Sequence, residues 1–178
     1  MLVTRQPVPP LSVETVAHGP FDITQAAPAR FTLVVFYRGL HCPKCAAHLT
    51  ELERLCPAFE DRGVEPIAVS VDGEDRAQQM ADKVKANGLR VGYGLSLAVA
   101  RAWDLGISAS RGATSIGIEE SALFCEPGIF LVGADGNLFF AITQTMPFVR
   151  PHFADMLPAL DFIIEKGYPA RGEYDGPV

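Results

Sequence analysis

A buried strand that runs straight into a cysteine pair at a helix start constrains this chain more than any other feature. FTLVVFY, residues 31–37, is β-branched and aromatic. It is too continuously apolar for a sheet with one wet face, so it predicts a strand covered on both sides. The turn RGLHC follows, and Pro43 suits the first position of a helix, where a missing N–H costs nothing. Leu49, Leu52 and Leu55 or Cys56 then recur at helical spacing, with Pro57 expected to kink or end the helix and Gly63 to stop it. VEPIAVSVD, residues 64–72, predicts a second buried strand. A strand–helix–strand start requires a right-handed crossover and a parallel pair.

The rest of the chain extends this unit. Residues 75–88 predict a second helix with Met80 and Val84 on one face and Gly88 as its cap. LRVGYGLS holds room for a short strand, and LAVARAWDLG for a third helix ending at Gly106, with Trp103 packed inside. Residues 107–125 are rich in Ser, Gly and Ala and read as a long loop with at most one strand. GIFLVG and NLFFAIT flank ADGN, a hairpin turn, and alternation puts Phe139 and Phe140 on opposite sheet faces, either of which can serve an interface. Pro151 opens a last helix, bent at Pro158. The first residues are Pro-rich and poorly patterned. The expected organisation is an extended arm over 1–25, an ordered domain over 26–168 and a flexible tail over 169–178. The class is α/β, a mixed central sheet with helices on both faces.

A chain of 178 residues suits one domain. Its net charge of −6 offers no basic stripe to phosphates, which argues against a nucleic-acid partner. The longest apolar runs are too short to span a bilayer, and the N-terminus lacks the apolar centre of a signal peptide. These readings place the protein in the cytoplasm, away from membranes, where a close cysteine pair is more often catalytic or metal-binding than structural.

Strand, Cys-x-x-Cys, helix is a redox pattern. The first helical turn carries unpaired N–H groups and a partial positive charge, both of which favour a thiolate. Cys42 lies near the helix N-terminus and Cys45 one turn inside, close enough to join in a disulfide. Arg38, His41 and Lys44 add positive potential nearby. His41 and His48 raise a metal alternative, but a closed zinc site wants four ligands and no second pair exists. Haem attachment fails because Ala46 follows Cys45 where a His is required. No cofactor is expected.

LVVFYRGLHCPKC, VEPIAVSVD, GYGLS and EPGIFLVGADGNLFF together resemble the peroxiredoxin-like branch of the thioredoxin superfamily, the alkyl hydroperoxide reductase and thiol-specific antioxidant group. The likeness runs from about residue 31 to 165 and implies a thioredoxin-like fold. Peroxiredoxins carry Pro-x-x-x-Thr-x-x-Cys at this junction. That pattern puts the peroxidatic cysteine on Cys45, the threonine position on Cys42 and the proline position on Arg38. They also place an arginine where this chain has Glu126-Pro127-Gly128; Arg38, Arg111 or Arg150 could substitute for it in space. Thioredoxin-like proteins instead put a cis-proline before that strand, a role open to Pro127, and make the first cysteine, Cys42, the exposed nucleophile. The two patterns assign opposite roles to the two sulfurs.

Of the other candidates, Cys125 lies two residues from Pro127 and offers an extra resolving thiol, though a buried cysteine is the commoner case. Glu126 offers a proton acceptor and His41 a group that tunes the thiolate. Cys56 reads as core and His48 as solvent-facing. The expected function is a thiol-dependent antioxidant oxidoreductase that reduces peroxides through a Cys42/Cys45 dithiol–disulfide cycle. Its partners are then a peroxide or protein disulfide and an external thiol reductant, and a homodimer is one assembly open to it. The alternatives are a protein disulfide reductase with weak peroxidase activity and a redox-sensing module without turnover.

Overall fold

The computed structural model of the chain describes residues 2–177. Its centre is β3 (Phe31–Phe36), paired in parallel with β4 (Val64–Val69) and antiparallel with β8 (Gly128–Gly133). β4 pairs in parallel with β5 (Arg90–Tyr93), and β8 pairs antiparallel with β9 (Leu138–Thr143). With β1 (Ser12–Thr15) and β2 (Phe21–Asp22) the sheet has seven strands in the order β2-β1-β5-β4-β3-β8-β9. Helices α1 (Pro43–Glu60), α2 (Glu74–Val84), α3 (Leu97–Ala102) and α4 (Met156–Lys166) complete the α/β architecture. A short 3-10 turn, Phe153–Asp155, precedes α4.

Side-chain alternation along β3 explains the two-sided cover. Leu33 and Val35 point into the core beneath α1 and α2, with Leu49, Leu52, Cys56, Met80 and Leu160. Val34 and Phe36 point into the other core, with Ala100, Trp103 and Phe130. The ring of Trp103 lies 5.3 Å from Phe36 and 5.0 Å from Phe130. No helix among the described residues is long and apolar enough to cross a membrane.

Several elements differ from expectation. The stretch expected as an extended arm supplies two strands: β1 joins the sheet antiparallel to β5, and Leu11, Val13, Phe21 and Ile23 are buried. The alternation Leu11, Val13, Thr15 is a strand signal that the surrounding prolines obscure. The tail is partly tied down too, since Ala170 is buried and its carbonyl accepts two bonds from Arg5. Pro57 lies in the last full turn of α1, which runs on to Glu60 and stops before Gly63. α2 ends at Val84, capped by left-handed Lys85 rather than Gly88. Pro158 falls in the first turn of α4, where no N–H partner is lost. The loop 107–125 holds two strands, β6 (Ile107–Ala109) and β7 (Leu123–Cys125), paired as a separate hairpin.

Phe139 and Phe140 do not straddle the sheet. A register shift between Leu131 and Val132 pairs them with Phe140 and Leu138, leaving Phe139 unpaired as a bulge. The extra residue breaks the alternation. Both rings therefore pack toward α4, in a groove of about 610 Å³ with Ile142, Met156 and Ile163.

Leu11 is 1% exposed, so Leu11→Ala is expected to cost about 2–5 kcal/mol of unfolding free energy. Urea denaturation checks this; a truly frayed arm would leave the midpoint unchanged.

Candidate active site

β3 and β4 are parallel, so their C-terminal ends open at the same edge, and the cysteine turn forms there. The turn is shaped by Asp72, which follows β4 and is 2% exposed. Its carboxylate accepts from the backbone N–H of Leu40 at 2.7 Å and from Ser121 Oγ at 3.1 Å, and stands 3.0 Å from Arg76 Nε. Gly39 has φ of +136°, and a Cβ there would lie 2.8 Å from Asp72 Oδ2. Only glycine fits both the backbone angle and the approach.

Cys42 is the N-cap of α1 and Pro43 its first residue, as the sequence pattern predicts. The backbone N–H of Cys45 donates to Cys42 Sγ at 3.2 Å, a bond an N-cap side chain makes with a helix N–H. Arg150 Nη2 reaches 3.2 Å from Cys45 Sγ and 3.9 Å from Cys42 Sγ. Cys42 is 2% exposed and Cys45 is wholly buried.

The two thiols differ in acidity. The Cys42 thiol falls well below the usual thiol range, to about 6. The hydrogen bond from the Cys45 side chain is the largest cause, followed among the lowering effects by the Cys45 N–H and the charges of Arg150 and Arg38, all working against burial. The Cys45 thiol moves the other way, first through burial and then through its bond to Cys42 and the charge there. The two directions favour the anion on Cys42 and the proton on Cys45, with the Arg150 guanidinium within reach of both sulfurs. A bond accepted by a thiol strengthens the one it donates.

Arg38 faces the turn but is held by two carboxylates, Glu120 at 3.3 Å and Glu126 at 3.3 Å, and lies over the Phe124 ring. Glu126 is occupied there, also accepting from Ser108 Oγ at 2.6 Å, so it anchors Arg38 and does not serve as a free base at the thiols. His41 is fully buried against Phe124, with Nδ1 3.5 Å from Arg76 Nη2, and burial lowers its pKa. Lys44 is exposed and is not among the charges that lower Cys42.

Cys125 belongs to the other core, with its thiol directed at the Tyr37 carbonyl at 3.6 Å and pushed up to about 12 by burial. It packs in a different core cluster from Cys42 and Cys45, and its thiol is directed at the Tyr37 carbonyl, not at either sulfur. Cys56 is core and likewise raised to about 12. No cis peptide bond occurs among the described residues, so Pro127 is trans. Its segment passes extended from β7 into β8, and its carbonyl accepts from Gln144 N–H at 3.0 Å. Arg111 N–H binds Glu120 and takes no part at the sulfurs.

Two residues outside the predicted set of supporting residues matter here. Arg150, one of three arginines that could have filled the missing place, is the one at the sulfurs. His48 is not solvent-facing: it is 7% exposed, stacks on Phe153 with ring centroids 4.1 Å apart, and binds the Pro151 carbonyl at 2.9 Å. Among the described residues no group of three or more His, Cys, Asp or Glu is placed to hold a metal ion.

Comparison with known proteins points the same way. The family model described as AhpC/TSA family matches residues 4–141. No curated protein matches the chain. A reduced 2-Cys peroxiredoxin of Plasmodium vivax superposes with a TM-score of 0.74 over 94% of this chain and 84% of its own, at 15% identity. AhpC of Mycobacterium tuberculosis gives 0.72 over 93% and 95%, also at 15% identity. Peroxidoxin BcpB of the same organism gives 0.70 over 92% and 99%, again at 15%. At such identities the likeness shows the fold, which is thioredoxin-like.

Thiolate absorbance in the ultraviolet is expected to rise with pH around a midpoint of about 6 in the reduced protein, to lose that step in Cys42→Ser and to shift it upward in Cys45→Ala. The sign follows from the bond: without the Cys45 donor the anion loses its largest stabilising partner. An unchanged midpoint in Cys45→Ala would show that the helix terminus and the arginines suffice.

Proposed function

The chain belongs to the AhpC/TSA family, and from that premise we propose that it is a thiol-dependent antioxidant peroxidase in which Cys42 attacks and Cys45 resolves. One observation carries the assignment of roles: Cys42 is the N-cap of α1 and its sulfur accepts the Cys45 backbone N–H, a helix-terminus position that favours an anion.

The cycle begins when the Cys42 thiolate attacks the terminal oxygen of a hydroperoxide, so that an S–O bond forms and the O–O bond breaks. The leaving alkoxide or hydroxide takes a proton and departs as alcohol or water, and Cys42 is left as a sulfenic acid. Arg150 stands where its guanidinium can stabilise the negative charge that develops on the leaving oxygen. Cys45, deprotonated as it reacts, then attacks the Cys42 sulfur, the S–O bond breaks, and water leaves. An external dithiol returns two electrons and restores both thiols. Within the chain, Cys42 and Cys45 carry the peroxide-reducing steps.

Burial favours a peroxide over a protein disulfide as substrate. Cys42 is 2% exposed, so a molecule of two or three heavy atoms needs far less opening than a disulfide that must bring its sulfur in line. A cytoplasmic location, where external dithiols stay reduced, suits the cycle. Met146, Phe148 and Val149 are exposed and follow β9, the open edge of the sheet, which supports a homodimer.

Stopped-flow mixing of the reduced protein with hydrogen peroxide is expected to consume peroxide orders of magnitude faster than free cysteine does. A rate no faster than free cysteine would sink the peroxidase reading, and insulin-disulfide reduction would then support the reductase. A sulfenic-acid probe is expected to label Cys45→Ser and not Cys42→Ser; the reverse pattern makes Cys45 the nucleophile.

A further inference from the structure

Arg150 reaches the sulfurs from a largely exposed segment, tied at its start by Gln144 N–H to the Pro127 carbonyl and near its end by His152 beside Glu51 at 3.6 Å. The chain leaves β9 at Thr143 and returns to the core at Phe153, and between them Met146, Phe148 and Val149 are 55%, 70% and 66% exposed. Within the segment, Arg150 Nε donates to the Pro147 carbonyl at 2.9 Å, which orients the guanidinium but does not fasten the strap to the domain. The fastening comes from α1. Cys45, His48 and Glu51 follow at intervals of three along that helix and share a face. His48 Nε2 meets the Pro151 carbonyl at 2.9 Å, Phe153 stacks on the imidazole, and Glu51 accepts from Ala154 N–H at 3.2 Å. The residue after Arg150 is thus bonded to the helix turn directly after the cysteine that Arg150 touches.

We propose that His48 is a positioning residue for Arg150: by donating from Nε2 to the Pro151 carbonyl it fixes the strap that sets the guanidinium on Cys45 and Cys42. The inference rests on the reading that these three groups do the chemistry.

A carbonyl oxygen only accepts, so the ring nitrogen facing it must carry the proton. In the neutral ring the bond therefore fixes one tautomer, with hydrogen on Nε2 and a bare Nδ1. Burial keeps the ring neutral and is the main cause that lowers its pKa to about 4, and the Arg150 and His152 charges act the same way against the Pro151 bond and Glu51. A cationic His48 beside Arg150 would repel the guanidinium it places. The sequence signature is Cys-x-x-Cys-x-x-His, here read as two sulfurs and a strap anchor in place of three metal ligands.

Two substitutions separate the donor from the packing. His48→Phe keeps a ring to stack on Phe153 and removes the N–H; His48→Gln supplies an amide N–H at a similar reach. His48→Phe is expected to raise the Cys42 thiolate midpoint and to slow peroxide consumption about threefold to tenfold, the range for one lost hydrogen bond. His48→Gln is expected to recover most of both. The His48→Phe substitution placed on Arg150→Leu is expected to add nothing, because the strap then has no guanidinium to place.

A His48→Phe protein that melts lower but keeps the wild-type thiolate midpoint would overturn the proposal and leave His48 as packing. Failure of His48→Gln to recover the midpoint would overturn it as well. In the unmutated protein, ring-nitrogen NMR shifts are expected to show the Nε2–H tautomer at neutral pH, and an Nδ1–H tautomer would overturn it without any variant. If the wild-type protein fails to outpace free cysteine with peroxide, the peroxidase reading falls, while the titration and the tautomer still decide the role of His48.

Discussion

The buried carboxylate of Asp72 is the constraint on which the site depends. A charge with no exposed side-chain surface is tolerated only if it is paired and hydrogen-bonded. Asp72 meets that demand by collecting the Leu40 N–H from the cysteine turn, Ser121 from the segment before β7, and Arg76 from α2. Three parts of the chain that are remote in sequence are thus tied at one point. The position of Cys42 follows from it. With Leu40 N–H fixed and Gly39 supplying the backbone angle no other residue accepts, the chain enters α1 with the Cys42 side chain over the first N–H groups. The seven-stranded sheet contributes the prior condition, two parallel strands ending side by side.

The two arginines near the sulfurs do different work because of what else they touch. Arg38 is shared between Glu120 and Glu126 and stacks on Phe124, so much of its charge is spent on holding the loop before β7 against the end of β3. Arg150 has a carbonyl and the two sulfurs as its hydrogen-bond partners. Its positive charge is therefore available to an anion. This explains how a chain with Glu126 at the place of the family's strand arginine still presents a guanidinium: the carboxylate binds one arginine as a strut, and a second arrives from beyond the residues that match the family.

What was legible in the sequence is what local pattern dictates. Strand, paired cysteines and helix could be read from residues 31–60, and the hairpin from ADGN, because each depends on neighbours within a few positions. The short strand β1 was hidden by flanking prolines, since four residues of alternation carry little signal until β5 is there to pair with them. Phe139 and Phe140 share a face because of a bulge that only the pairing register reveals. His48 departs from expectation for a similar reason: on the helix alone its position looks wet, and it is buried by Phe153, which lies more than a hundred residues away. Arg150 could be named as a candidate but not chosen from Arg38 and Arg111, because 105 residues separate it from Cys45 and no local rule spans that distance.

The same limit applied to the sulfurs. Peroxiredoxin spacing favours Cys45 as the attacking group and thioredoxin spacing favours Cys42, and spacing cannot decide between them because both cysteines satisfy a pattern. The hydrogen bonds distinguish the two surroundings. At the N-cap, Cys42 receives a helix N–H that has no carbonyl of its own to bind. At the third helical position, Cys45 is deeper, receives no backbone N–H, and lies within reach of Cys42 as a donor. Two identical side chains three residues apart thus sit in different surroundings, one at a helix terminus and one inside, and such a difference is how paired titratable groups take distinct roles. Burial works against an anion on either sulfur; Arg150 reaches both, but only Cys42 also accepts a helix N–H.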